Sequence, residues 1–186
     1  DPTIFLEHRW LHNLESDVPI DSYRVPIGDA KIVTEGSDVT IVSLSYMTIE
    51  ALHAVNKLES RGLSCELIDL RSSSPIDWET IKNSVSKTGR LLAIDSSSES
   101  FSVASEIIAM ISMDCYGSLK CPPKRLALED APSPTSFGLT NKYYFGAHEI
   151  FRCVLSILKK DADDDEEMFQ KDHPHDVPGE WFKGPF

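Results

Sequence analysis

The stretch from Asp69 to Arg90 restricts the fold more than any other part of the chain. An apolar run, Cys65–Leu70, leads into Arg71-Ser72-Ser73-Ser74-Pro75, a loop in which Pro75 fixes φ. Asp77 then stands at a helix N-cap position, Ile81 and Val85 share one face, and the predicted helix runs through Ser86 with Gly89 after its end. Arg90–Asp95 is a second run of strand length. Two strands joined by a capped helix cannot pair as a hairpin. They need a crossover, so they lie parallel in a sheet covered on both faces.

The flanking segments repeat this alternation. Lys31–Thr34 and Val39–Leu44 are β-branched runs parted by the turn Glu35-Gly36-Ser37-Asp38. From Thr48 to Ser60, Ile49, Leu52, Val55 and Leu58 recur at helical spacing, and Gly62 stops the pattern. Ser102 caps a further helix carrying Val103, Ile107, Met110, Ile111 and, at its end, Asp114 and Cys115. Lys124–Glu129 reads as the last strand, and Ala147 to Lys160 as a final helix with a broad apolar face. The expected fold is α/β, a three-layer doubly wound, mostly parallel sheet of about five strands. Residues 1–30, punctuated by Pro19 and Pro26, read as an extended connector. Residues 31–160 form the α/β domain, and 161–186 an acidic and then aromatic, Pro-rich tail.

Charge excludes one class of partner. The formal net charge is −12, from 18 basic and 30 acidic residues, which is the wrong sign for nucleic acid. Much of the excess is local, because residues 161–186 hold nine acids against Lys171 and Lys183. No apolar run approaches the roughly 18 residues of a membrane span, so no membrane partner is expected. The start, Asp1-Pro2-Thr3, lacks Met and a charged-then-apolar leader, and reads as a processed or excised end. Cys65, Cys115, Cys121 and Cys153 have no metal-ligand spacing and read as reduced core thiols, which suits the cytoplasm or a mitochondrial matrix.

Specific wording runs along residues 2–160: Phe5-Leu6-Glu7-His8; Val25-Pro26-Ile27-Gly28-Asp29-Ala30-Lys31; Glu35-Gly36-Ser37-Asp38-Val39-Thr40; Asp69 to Arg90 with Ser84-Val85 and Lys87-Thr88-Gly89-Arg90; Ala104-Ser105-Glu106-Ile107; and Asp130-Ala131-Pro132-Ser133-Pro134. In these motifs the chain resembles the C-terminal domain shared by transketolases and by the beta subunits of thiamine-diphosphate-dependent 2-oxo acid dehydrogenases, of pyruvate and branched-chain type. The resemblance implies a parent enzyme that uses thiamine diphosphate and magnesium, both held by other domains. This chain would then be non-catalytic and bind no cofactor alone, serving subunit association and active-site assembly. Implied partners are those other domains or subunits, a second copy in a homodimer, and an acyltransferase core. A transketolase-type parent moving two-carbon units is the alternative. A stand-alone interaction or regulatory module with this fold is the alternative from another class.

The resemblance also directs attention to particular residues. Glu7 and His8 sit where the connector enters the domain, facing an assembled active site or an interface. Where dehydrogenase beta subunits usually read His or Asp, then Glu-Ala and a Gly-rich turn, this chain has Asp95-Ser96-Ser97-Ser98-Glu99-Ser100-Phe101-Ser102. Ser96 takes the place of the acid, and Phe101 and Ser102 those of the glycines. That segment is expected to be a loop at the carboxyl ends of the strands, where open α/β sheets place their crevices. Gly28-Asp29 lacks the second Gly and later Asn of the family's diphosphate motif and reads as a structural turn. His173-x-His175, with Asp172 and Asp176, has ligand-type atoms but Pro174 between them, and is not assigned a metal. The acidic run reads as a solvated spacer. Trp181, Phe182 and Phe186 are too apolar for an idle tail and are expected to dock on a neighbour.

Overall fold

A computed structural model describes residues 2, 4, 6, 8–12, 14–161 and 169. Five strands and five α-helices alternate among the described residues: β1 (Lys31–Thr34), β2 (Val39–Ser43), α1 (Met47–Ser60), β3 (Cys65–Asp69), α2 (Trp78–Thr88), β4 (Leu91–Ser98), α3 (Val103–Asp114), β5 (Lys124–Leu128), α4 (Phe137–Tyr143) and α5 (Ala147–Leu158). The sheet order is β1-β3-β2-β4-β5. β3, β2, β4 and β5 are mutually parallel, and β1 closes one edge antiparallel to β3. The α/β fold read from the sequence is present, with an antiparallel edge strand.

Period-two alternation assigns each strand residue to a face. Ile41, Leu67, Leu92 and Ile94 point to α1 and α5, where Leu58, Phe151 and Val154 complete one core. Val42, Ile68, Leu91 and Ala93 point to the other side, against Ile81 and Val85 of α2 and Ile107 and Ile111 of α3. Both faces of the central strands are therefore apolar, as a parallel sheet between two helical layers requires. Arg61, just past α1, lies with its guanidinium carbon 4.8 Å above the Phe151 ring, and Phe169 packs on the other aromatic neighbours, His148 and Phe151, at 5.3 and 5.2 Å.

The motif residues at the amino-terminal end of the sheet make one polar lattice. Thr40 of β2 lies wholly buried, its hydroxyl 2.7 Å from that of Ser84 and 2.8 Å from that of Thr88. The buried Glu66 carboxylate accepts from Lys87 and from Gly36 N (3.3 Å). Burial pushes Glu66 up, but hydrogen bonds from Lys87, Ser84 and Gly36 outweigh it and hold it below the ordinary glutamate range. At Gly36 a Cβ would lie 2.2 Å from the carbonyl carbon of Cys65, so only glycine fits. Gly89 ends α2 at φ 72°, and Arg90 donates to Asp38 O at 3.1 Å.

The connector is fastened at its far end. Asp77 accepts from Thr80 N (3.0 Å) as the α2 cap and, with its other oxygen, from Ala30 N (3.0 Å). Gly28, at φ 96°, leaves no room for a Cβ, which would meet Pro75 at 2.8 Å. Burial raises Asp77, yet these donors leave it lowered from its ordinary value. The two motifs that contain Gly28 and Asp77 thus hold each other.

Three expectations are corrected. β4 runs to Ser98 rather than stopping at Asp95, because Ser98 pairs with Leu128 and Glu99 N donates to Leu128 O at 2.7 Å. Ser96 is therefore on a strand extension and not in a loop. α4 is absent from the sequence reading, since seven residues after Pro132 and Pro134 carry too little periodicity to declare a helix. α2 extends to Thr88, whose hydroxyl is tied to Thr40.

Candidate functional site

The sheet has a topological switch point between β2 and β4. From β2 the chain crosses by α1 to β3 on one side, and from β4 by α3 to β5 on the other, over the opposite face. In open α/β sheets the carboxyl ends of two strands whose connections diverge this way are where functional sites are placed. Residues 44–46, 70–72 and 99–102 leave the strands there.

Backbone geometry singles out the same edge. Ser45 (φ 59°), Arg71 (φ 57°) and Phe101 (φ 56°) are left-handed, one after each of β2, β3 and β4. A side chain in this region costs of order 1–2 kcal/mol, and such residues persist where neighbours over-determine them. At Phe101 the braces are visible. Asp130 accepts from Ser100 N (3.1 Å) and from the Ser100 hydroxyl, and these bonds hold its carboxyl below the ordinary aspartate range. Asp95 accepts from Ser97 N (2.9 Å) with one oxygen and from Ala104 N (3.2 Å), in the first turn of α3, with the other. Between these clamps the Phe101 ring stands fully in solvent, at 105% relative exposure.

An aromatic group lines the neighbouring part of the edge. His8 stacks on Tyr46, ring centres 4.2 Å apart, and Trp10 meets both edge-on at 5.3 and 5.1 Å. His8 Nδ1 accepts from Trp10 N (3.4 Å), and burial lowers the imidazole from its ordinary value. Burial, then Glu50 and Tyr144, push the Tyr46 phenol up to about 12. Glu50, buried on the first turn of α1, accepts from Ala147 N at 2.9 Å and so holds the start of α5.

The structure puts the sequence candidates His8, Asp95, Ser96 and Phe101 on this one edge. Glu7, Trp181, Phe182, Phe186 and the His173-x-His175 pair lie outside the described residues. Tyr46, Ser45 and Arg71 were missed, because a left-handed serine or arginine carries no mark in composition. Asp130 was legible only as part of its Pro-rich motif. Among the described residues no group of three His, Cys, Asp or Glu side chains is arranged around a metal position. The carboxylates on this edge, Asp95 and Asp130, are engaged by Ser97, Ala104 and Ser100 and carry the sign that repels an anionic diphosphate. These residues do not fit a magnesium–diphosphate group. All four cysteines are free thiols, and burial pushes Cys65 up to about 12, so it is inert at neutral pH. No helix among the described residues is long and apolar enough to cross a membrane.

A doubly wound, mostly parallel sheet with a braced carboxyl edge defines an open-sheet α/β domain. The family model "Transketolase, C-terminal domain" matches residues 28–150. The chain belongs to the transketolase C-terminal domain family. It is 36% identical over 159 residues to the acetoin:2,6-dichlorophenolindophenol oxidoreductase subunit beta of Cupriavidus necator, covering 86% of this chain and 47% of that protein. To the pyruvate dehydrogenase E1 component subunit beta of Mycoplasma genitalium it is 39% identical over 161 residues, covering 86% and 49%. To the 2-oxoisovalerate dehydrogenase subunit beta of Bacillus subtilis it is 37% identical over 145 residues, covering 77% and 44%. The chain spans about half the length of these curated relatives. Among solved structures, a split-gene transketolase described as an inactive beta4 tetramer matches with a TM-score of 0.65 at 27% identity, covering 77% of this chain and 46% of that one.

Proposed function

We propose that this chain is the C-terminal, non-catalytic domain of the beta subunit of a thiamine-diphosphate-dependent 2-oxo acid dehydrogenase. Its carboxyl edge meets the part of the enzyme that holds the cofactor. The observation that carries this reading is the edge itself: three left-handed non-glycine residues, an exposed Phe101 held by Asp95 and Asp130, and His8 stacked on Tyr46. An edge built this rigidly, and exposing a large aromatic, is suited to protein contact.

Oxidative decarboxylation of a substrate such as pyruvate is the parent's reaction. Thiamine diphosphate and magnesium supply the carbanion chemistry from outside this chain. Residues 1–30 connect to the cofactor-holding part, 31–160 form the docking domain, and 161–186 are a tail that contacts a neighbouring subunit through Trp181, Phe182 and Phe186. Glu7 and His8 mark the entry of the connector into the interface. A two-fold contact with a second copy and an acyltransferase core complete the assembly. The free thiols suit a reducing compartment, the cytoplasm or the mitochondrial matrix. The split-gene neighbour, inactive as a tetramer of one subunit type, favours a two-carbon-transferring transketolase as the second reading and supports inactivity of the isolated chain under either.

Calorimetric titration with thiamine diphosphate and magnesium tests the reading. The chain alone is expected to give no heat of binding, and the full-length gene product with its partner subunit a saturable one. Cofactor binding by this chain alone would overturn it.

A further inference from the structure

We propose that Ser96 is a phosphorylation site for an acidophilic serine kinase, one whose basic groove reads a carboxylate three residues beyond the acceptor. The segment Asp95-Ser96-Ser97-Ser98-Glu99-Ser100-Phe101-Ser102 holds five serines, and four are committed. Ser97 donates to Asp95 (2.8 Å), Ser98 to Ser100 O (3.3 Å), Ser100 to Asp130, and Ser102 caps α3. The Ser96 hydroxyl has no partner among the described residues and is exposed. Its acidic flanks are Asp95 before it and Glu99 three residues after.

Backbone pairing adds a second, independent observation. Pairing of β4 with β2 ends at Val42–Ala93, and pairing with β5 passes from Ile94 directly to Ser98. Residues 95–97 are thus extended and lack ladder partners on either side, the conformation in which a kinase cleft takes its substrate. Transfer of the γ-phosphoryl group of ATP forms the Oγ–P bond as the bond to the departing ADP breaks, and the hydroxyl proton passes to the kinase's base. The product adds a charge of about −1.5 to −2 next to Asp95 in the chain and three residues before Glu99, whose carboxylate pairs with Arg125 at 3.3 Å. Like-charge repulsion then opposes the Asp95 bonds to Ser97 and Ala104, and the braced edge loosens. In the assembled enzyme this edge is covered, so the modification acts on the free chain; that consequence alone rests on the functional reading above.

The test treats the chain with an acidophilic serine kinase and magnesium-ATP, locates phosphate by tandem mass spectrometry and follows amide exchange. One phosphate on Ser96 is expected, absent from Ser96→Ala and formed about tenfold more slowly in Glu99→Gln, as for loss of one charge-assisted contact. Exchange at Ser97 and Ala104 should rise in the modified protein. An unmodified chain, or phosphate on Ser97, Ser98 or Ser100 with Ser96 untouched, overturns the proposal; unchanged exchange after modification overturns the loosening. Neither readout needs a partner subunit, so failure of the chain to assemble would count against the functional reading alone.

Discussion

The two ends of the sheet are built from similar residue types and do different things. At the amino-terminal end Thr40, Glu66, Ser84, Lys87 and Thr88 are mutually hydrogen-bonded and mostly buried. At the carboxyl end Asp95, Ser100 and Asp130 are also hydrogen-bonded, but they hold an exposed phenylalanine in a left-handed conformation. Polar groups at the first end are satisfied by burial-coupled pairs and stabilise the fold. Those at the second fix the shape of a surface. The motifs that carry the resemblance lie mostly at the first end, and the segment expected to depart from it, Ser96 to Ser102, lies at the second.

The largest effect that sharpens this contrast is expected at Gly36. Gly36→Ala places a methyl group against the Cys65 backbone and should cost about 3 kcal/mol, the upper end for overpacking, in urea unfolding. Thr40→Val follows, because it strips the hydroxyl that both Ser84 and Thr88 face; a loss of about 1–3 kcal/mol is expected from the same measurement. At the other end association, and not stability, is expected to change. Phe101→Gly relieves the left-handed strain and should leave stability within about 1 kcal/mol of the parent, while weakening association with the partner by about 1–2 kcal/mol in sedimentation. A large stability loss at Phe101 would break the comparison.

The smallest effect is in pH dependence. Glu66 and Asp77 are both held below their ordinary values, so the folded state binds protons less readily than the unfolded one. Their contribution is present above the unfolded carboxylate range and is lost as pH falls through the folded values. Unfolding free energy should therefore be flat near neutrality and fall in acid, and Glu66→Gln should flatten part of that acid limb. An unchanged limb in Glu66→Gln would remove Glu66 from the stabilising lattice.

Legibility followed the same division. Helix caps at Asp77 and Ser102, the Gly89 stop and the apolar periods were readable because each depends on neighbours a few residues away. The Ser84-Lys87-Thr88 motif was readable as a pattern, but its partners Thr40 and Glu66 lie 44 and 21 residues off and emerged only with the fold. The edge was half readable. His8, Asp95, Ser96 and Phe101 stood out by resemblance or departure, whereas Ser45, Arg71 and Tyr46 did not, since left-handed geometry and stacking on a distant connector leave no local signature. The extension of β4 through Ser98 was hidden for a related reason: the pairing of Ser98 with Leu128 of β5, beyond unpaired residues 95–97, carries the strand past Asp95.

Amide hydrogen exchange of the full-length gene product, free and assembled with its partner subunit, tests the central claim most directly. Protection on assembly is expected at residues 43–46 and 95–102, with the amino-terminal lattice equally protected in both states. Unchanged exchange along that carboxyl edge, with new protection appearing on the outer faces of α2 and α3 instead, would contradict the account.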